Sequence, residues 1–394
     1  MNISVIITSL EIGPPYIGSL AGVRRYSYSL VQNLAKNNIN VHVISTNKPS
    51  SDDDLINCQN VHFYIVPSRK EQRDFVRKRG GTIKRDSKYF SKQALKKYYE
   101  ITSKNKISII QTVGFSAYYF LKEKKKGKIS TPIIASFSDT DDNSIPSLKM
   151  LKFADHIFCP FTSVKKEVVK KAELLQKRIS VISSSIDGMR YSQYPKLEDI
   201  ENFKNKYDIS TSHPLLLLLG PFTSKRDHLE LVKLFPTIVK NLPDINFLII
   251  GDGPNLSKIK EEIVKFELEE RVTITGYIPD NELLIAYHIS DVLLSSTKRG
   301  TSATPIIEAM ASGLPIIALQ IPPYNEILPI DYNYLYPIEK KEKAIELLLS
   351  LLGEKANIKK LEMELKEHSL KNYNHSVVGR NIIKIYKSIL GSNE

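Results

Sequence analysis

The chain has 394 residues and carries 56 lysines and arginines against 43 aspartates and glutamates, a formal net charge of +13. At about 150 residues per domain this length allows two or three domains, each with its own core, and we expect two. The hydrophobic fraction of 42% and charged fraction of 25% are typical of globular proteins and exclude a disordered chain.

The cysteine count and the length of the apolar runs indicate in which cellular compartment the protein lies. Cys58 and Cys159 are the only cysteines, which excludes a disulfide framework and argues against a thiolate metal site. The apolar N-terminal run lacks a preceding basic region, so it predicts a buried strand rather than a signal peptide. The run from Leu215 is far shorter than the roughly 18 residues of a membrane span. We therefore expect a cytoplasmic protein.

The first half alternates short β-branched runs with longer amphipathic stretches. Predicted strands begin at Ser4, Val41, Val61, Ser108, Thr131, His156 and Ile179. The stretch from Val23 has helical spacing of its apolar residues and lies between the first two strands, which predicts a βαβ unit. This alternation is typical of a doubly wound parallel sheet, and we predict a first domain over residues 1–190.

A second alternation follows a polar, irregular stretch, which we interpret as a linker near residues 189–212. Predicted strands begin at Leu215, Asn246, Arg271, Asp291 and Pro315. Predicted helices span 225–240, 256–266, 283–288 and 304–312. Continuously apolar strands favour a sheet covered on both faces. The second domain is predicted over residues 213–372, and a final helical segment over 373–394.

Positive charge is concentrated in one segment of the first half. Between Arg69 and Lys106 there are fourteen lysines and arginines against four acidic residues. Two interpretations account for this segment equally well. It forms solvated helix faces, or it forms a surface that binds acidic lipid head groups or a phosphorylated acceptor. The second alternative would place the protein at the inner face of the cell membrane. Nucleic acid is not expected as a partner, because no zinc finger, RNP-type strand or basic zipper occurs.

Three stretches of the second half have a distinctive spacing. They are IIGDGP from Ile249, VTITGYIPDNELLIAYHISDVLLSS from Val272 and TPIIEAMASGLPIIAL from Thr304. In spacing and in residue type these stretches resemble the family 4 glycosyltransferases, and weaker similarity extends over most of the chain. The resemblance implies a GT-B fold, an α/β architecture of two facing Rossmann-like domains whose C-terminal helix returns to the first. It also implies sugar transfer from a nucleotide sugar to a glycan, lipid-linked or protein-linked acceptor, with retention and with no metal or cofactor.

The helix predicted from Thr304 has the features of a diphosphate site. Thr304 suits a cap and Pro305 the first turn, so backbone amides and the positive end of the helix dipole would point at what precedes them. The resemblance assigns donor binding to Ser302, Ala303 and Thr304, and the ribose hydroxyls to Glu308. Alternatively, Glu308 only complements the helix dipole.

Two cations and one glycine complete the predicted donor site. Lys225 and Arg226 follow the strand from Leu215, where a cation can neutralise a departing diphosphate. A solvated surface role is the alternative for this pair. Gly22 matches the family's glycine-rich first loop, in which the backbone approaches a phosphate, although tight turns need glycine as well.

Several family positions are substituted. Pro221 replaces an arginine, and the first of two paired glutamates falls on Gly300 or Arg299. Gln111 stands where the first domain usually carries a histidine, which leaves Asp139 as the candidate catalytic residue. These substitutions leave a second interpretation open, a catalytically impaired glycosyltransferase-like partner or sugar-binding subunit.

Overall fold

A computed structural model describes most of the chain. The described residues are 3–12, 21–50, 53–67, 84–137, 148–172, 176–210, 213–223, 226–295, 304–353 and 355–391. The chain forms two compact units. The first consists of Met1–Ser185 together with His375–Glu394, and the second of Ile186–Asn374.

The first unit is an open α/β unit. Its strands are β1 (Ser4–Thr8), β2 (Asn40–Ser45), β3 (Val61–Ile65), β4 (Ile109–Val113), β5 (Ile133–Ser136), β6 (His156–Cys159) and β7 (Ile179–Val181). Its helices include α1 (Ala21–Lys36), α2 (Asp54–Asn57), α3 (Lys84–Thr102), α4 (Ala117–Lys125), α5 (Leu148–Leu151) and α6 (Thr162–Ala172). The described strands pair in parallel in the order β3-β2-β1-β4-β5-β6-β7, which reverses direction between β1 and β4.

The second unit repeats this architecture. Its strands are β8 (Leu215–Leu219), β9 (Asn246–Ile250), β10 (Val272–Gly276), β11 (Val292–Ser295), β12 (Ile316–Leu319) and β13 (Leu335–Tyr336). Its helices are α7 (Gly188–Ser192), α8 (Leu197–Tyr207), α9 (His228–Val232), α10 (Phe235–Asn241), α11 (Leu256–Lys265), α12 (Asp280–Ile289), α13 (Thr304–Ser312), α14 (Pro322–Ile327), α15 (Lys343–Gly353) and α16 (Lys355–Tyr373). The strand order is β10-β9-β8-β11-β12-β13, again parallel, with its reversal between β8 and β11.

The central strands of both sheets are apolar and buried on two faces. Every residue of β4 is buried, and β8 and β9 each expose part of one end residue only. Helices on both faces of a parallel sheet remove the strands from water, so apolar residues are favoured at every position. Each predicted strand is confirmed, as is the helix from Thr304 to Ser312.

One predicted helix was wrong. Residues 225–240 were expected to form a single helix, but the structure has α9 and α10 with a break at Lys233 and Leu234. Pro236 lies in the first turn of α10. Proline lacks the amide hydrogen that a helix interior requires and is tolerated in a first turn, so a new helix begins there.

The last helix, α17 (His375–Ile389), belongs to the first unit. Val378, Ile382 and Tyr386 are buried in the same apolar core as β1 and α1. The Tyr386 hydroxyl donates a hydrogen bond to the side-chain oxygen of Gln111, which lies in β4. Gln111 in turn donates to the Ser136 hydroxyl at 2.8 Å. Gln111 therefore joins the returning helix to the centre of the sheet.

Candidate functional site

A small pocket lies at the carboxyl ends of β8 and β11. Its lining residues are Leu219, Arg226, Leu293, Ser295, Pro305, Ile306 and Tyr324. β8 and β11 are the neighbours between which the strand order reverses. Doubly wound sheets bind ligands at this topological position, because diverging loops leave a crevice beyond the strand ends.

Three glycines allow the loops beside this pocket to touch. A Cβ on Gly251 would lie 2.1 Å from the backbone oxygen of Gly220, and one on Gly253 would lie 2.6 Å from that of Phe222. Both glycines have positive φ, +146° and +155°. The glycines of IIGDGP are thus required by the contact between the loops after β8 and β9, irrespective of any ligand.

Arg226 places a cation in the pocket wall. Its guanidinium lies over Gly220, where an added Cβ would come within 2.5 Å of Nη1. Burial lowers the pKa of Arg226, and the nearby Tyr324 and Tyr287 act in the opposite direction. A guanidinium remains protonated in proteins, so the wall carries a positive charge.

The residues after Arg226 stabilise its loop. Asp227 Oδ2 lies 3.3 Å from Lys341 Nζ, in a pair that is largely withdrawn from solvent. His228 is 2% exposed, and its ring packs edge-on against Phe222. Burial, and next the charge of Arg226, lower the pKa of His228 to about 3. The imidazole is therefore neutral near pH 7.

Helix α13 presents its first turn to the same pocket. It begins at Thr304, which is 2% exposed, and Pro305 and Ile306 line the pocket. The first amides of a helix have no partner within it, and they carry the positive end of the dipole. An anion in the pocket would face these amides as well as Arg226.

Glu308 lies one turn further along α13 and is buried. Its side chain belongs to a residue only 1% exposed, and both carboxylate oxygens accept hydrogen bonds. The Tyr191 hydroxyl donates to Oε1 at 2.9 Å, and the Tyr287 hydroxyl donates to Oε2 at 2.9 Å. The first turn of α13 contains no acidic residue. Because dipole effects fade beyond that turn, the tyrosines are the stronger partners of this carboxylate.

The predicted site residues are only partly described. Asp139, Lys225, Ser302 and Ala303 lie outside the described residues. Gly22 lies in the first turn of α1 in the first unit. Arg226, Thr304 and Glu308 all lie in the second unit around the ends of β8 and β11. Among the described residues, no group of three or more histidine, cysteine or acidic side chains is placed to hold a metal ion.

The tyrosines of this site were not among the predicted site residues. Tyr287 is the last of the buried residues of α12, after Leu283, Ile285 and Ala286, and Tyr324 begins the buried face of α14. Tyr324 forms a hydroxyl pair with Ser295 at 3.1 Å. A tyrosine in an otherwise apolar helix face signals a buried hydroxyl that needs a partner, but the sequence does not identify that partner.

Two family models match adjoining parts of the chain. "Glycosyltransferase Family 4" matches residues 20–188, and "Glycosyl transferases group 1" matches residues 199–372. Together they account for most of the chain, and each corresponds to one of its two halves.

Curated relatives are distant and match in part. Identity is 25% over 175 residues with an alpha-monoglucosyldiacylglycerol synthase of Streptococcus pneumoniae, covering 44% of this chain and 39% of that protein. It is 24% over 261 residues with the phosphatidylinositol N-acetylglucosaminyltransferase gpi3 subunit of Schizosaccharomyces pombe, covering 65% and 55%. The chain thus spans about half the length of the curated relatives that it matches, or less.

Solved structures match the whole chain. A glycosyltransferase from Rickettsia africae has a TM-score of 0.76 at 19% identity and covers all of both chains. HepE from Anabaena, solved in complex with UDP and glucose, has a TM-score of 0.74 at 12% identity and covers 98% of this chain and 100% of its own. At these identities the likeness concerns the fold, which is the GT-B fold.

Proposed function

Since this chain belongs to the family 4 glycosyltransferases of group 1, we propose that it transfers a sugar from a nucleotide sugar to a lipid-linked acceptor, with retention. One observation carries the proposal. Arg226 and the first turn of α13 line the same pocket beyond β8 and β11, and Glu308 follows one turn later. This combination suits a nucleoside diphosphate.

Charge stabilisation is the chemical contribution that we assign to this pocket. When the sugar leaves, negative charge develops on the diphosphate, and the Arg226 guanidinium and the α13 amides would neutralise it. Glu308 would accept hydrogen bonds from the ribose. A fixed cation and fixed dipoles can perform this role without a metal ion, and we propose that activity is retained in the presence of a chelator.

The acceptor is inferred from relatives. The pneumococcal relative is named for a glucosyldiacylglycerol product, and the fission-yeast relative for phosphatidylinositol. Both names describe the glycosylation of a lipid. We accordingly favour a lipid-linked acceptor over a free glycan or a protein.

A basic and aromatic surface on the first unit supports contact with a membrane. It is formed by α3 and α4, and we call it the α3–α4 surface. Five of its lysines form no ion pair among the described residues: Lys88, Lys92, Lys96, Lys122 and Lys125. Four more are ion-paired: Lys97 with Glu100, Lys124 with Asp155, and Lys126 and Lys128 with Glu123. Lys88 Nζ lies 4.8 Å from the ring centre of Tyr118, and Lys122 Nζ lies 5.7 Å from that of Tyr119. Lysines attract acidic head groups, and tyrosines suit the membrane interface.

The protein would bind the membrane peripherally, at its surface. Among the helices that the structure describes, none is long and apolar enough to cross a bilayer. We propose that the α3–α4 surface binds the anionic inner face of the cell membrane. Sedimentation with vesicles of anionic and neutral lipids tests this. The charge reversals K122E and K125E should weaken binding to anionic vesicles, whereas K258E and K260E on α11 should not.

Nucleotide binding and transfer test the main proposal. We expect UDP, GDP or ADP to raise the melting temperature, since a ligand at 100 times its Kd stabilises the folded state by about 2.7 kcal/mol. The matching nucleotide sugar should then label a lipid extract. Arg226→Ala should abolish this transfer, and Lys233→Ala, which removes an exposed lysine paired with Glu230, should not. Stabilisation by none of the three nucleotides would contradict the proposal.

A second candidate function follows from the substituted family positions. Pro221 provides no cation, and Arg299 and Gly300 provide no carboxylate, so this chain would be a non-catalytic partner that binds a nucleotide or a sugar. Nucleotide binding without transfer to any lipid extract would favour this candidate.

A further inference from the structure

Glu308 is held by side chains from two other helices of the second unit. Tyr191 comes from α7, which begins two residues after the chain enters that unit, and Tyr287 comes from α12. The hydrogen bond between Tyr191 and Glu308 joins residues 117 positions apart. Two helices, α7 and α12, therefore contribute side chains to the carboxylate that α13 carries.

The three side chains form a compact and buried group. Tyr191 is 5% exposed, and Tyr287 and Glu308 are each 1% exposed. The two tyrosine rings meet edge to face with their centres 6.2 Å apart. The backbone oxygen of Tyr191 also accepts a hydrogen bond from His288 Nε2 at 2.9 Å. Tyr191 is therefore fixed to α12 by its backbone as well. This packing leaves the tyrosine hydroxyls little freedom of position.

These hydroxyls have two effects on Glu308. They provide hydrogen bonds to a buried carboxylate, whose burial is costly without them. Two donors on opposite oxygens also fix the plane of the carboxylate. A carboxylate can accept about four hydrogen bonds, so two phenol donors are compatible with further donors.

We propose that Tyr191 and Tyr287 are positioning residues for ribose recognition. Their hydroxyls donate to both oxygens of Glu308 and hold them in the orientation that receives the ribose hydroxyls of the donor. This inference rests on the proposed nucleotide site and names two residues outside the resemblance that act through Glu308. A purely structural role would instead require only that the two rings fill the core.

The test separates ribose recognition from stability. The affinities of UDP and 2′,3′-dideoxy-UDP are measured by calorimetry for the wild type, Tyr191→Phe, Tyr287→Phe and Glu308→Ala. If the protein binds GDP or ADP instead of UDP, that nucleotide and its dideoxy analogue are used. In the wild type we expect the ribose hydroxyls to improve affinity about tenfold, or roughly 1.4 kcal/mol. Each phenylalanine variant should reduce this ratio to about twofold or less, because the ring stays and only the donor is lost.

Tyr332→Phe is the matched control. Tyr332 is another buried tyrosine of the second unit, and its hydroxyl is hydrogen-bonded to the backbone of Ile316. The Tyr332→Phe variant should be less stable but keep the wild-type ratio of UDP affinity to dideoxy-UDP affinity. An unchanged ratio in Tyr191→Phe and Tyr287→Phe would overturn the inference and leave them a structural role. Tighter UDP binding would also overturn it, since the hydroxyls would then compete with ribose.

The remaining outcomes distinguish this inference from the proposed function. If the wild type binds nucleotide and Glu308→Ala keeps the full ratio, Glu308 does not recognise ribose, so the inference fails while nucleotide-dependent transfer stands. If the wild type binds no nucleotide at all, both fail together.

Discussion

Replacing Gly251 by alanine should strongly destabilise the second unit. Gly251 has φ of +146°, a sparsely populated conformation that costs an L-residue about 1–3 kcal/mol. The new Cβ would lie 2.1 Å from the Gly220 backbone oxygen, and overpacking of this kind costs roughly 1–3 kcal/mol. We therefore expect a loss of about 2–6 kcal/mol in the free energy of unfolding.

Gly276→Ala is the comparison variant, because it keeps a positive φ without the contact. Gly276 lies in the same sheet and has φ of +72°, but a Cβ there meets nothing within 4 Å. Urea denaturation of both variants should show the larger loss for Gly251→Ala, and UDP affinity should fall with it because the displaced loop carries Arg226. Equal losses in the two variants would refute the argument that the contact between the loops requires glycine.

Three further predictions concern single side chains. Arg226→Ala should weaken UDP binding about ten- to hundredfold but leave uridine binding nearly unchanged, as measured by calorimetry, because the lost cation faces the diphosphate. Tyr386→Phe should cost about 1–3 kcal/mol in urea denaturation, since the buried Gln111 oxygen loses its donor; an unchanged midpoint would contradict this. The folded-state pKa of His228 is about 3, so the unfolded state binds more protons as pH falls below about 6.5. Stability should therefore fall by up to about 1.4 kcal/mol per pH unit towards pH 4, and His228→Gln should flatten this slope.

The fold was largely predictable because strand formation leaves a local signal. Five consecutive leucines from Leu215 and the β-branched run from Ser4 can be buried on both faces only within a covered sheet. The strand β13 was missed because it has two residues, too few for any periodic pattern. The break between α9 and α10 carried a signal in Pro236 that the interpretation of one continuous helix overlooked.

The chemistry of the site was less predictable because it depends on distant pairs. Thr304, Pro305 and Glu308 are close in sequence, so helix geometry alone relates them. No spacing rule relates Tyr191 to Glu308, which come together only when α7 packs on α13. Gln111 was interpreted as a substituted functional position, and its contacts with Tyr386 and Ser136 instead show a residue of the core.

The return of α17 has a consequence for synthesis on the ribosome. The first unit contains Val378, Ile382 and Tyr386, which are translated after every residue of the second unit. Part of the apolar surface of the nascent first sheet therefore stays uncovered until α17 has left the exit tunnel. Of the two units, the one whose synthesis begins earlier is completed later.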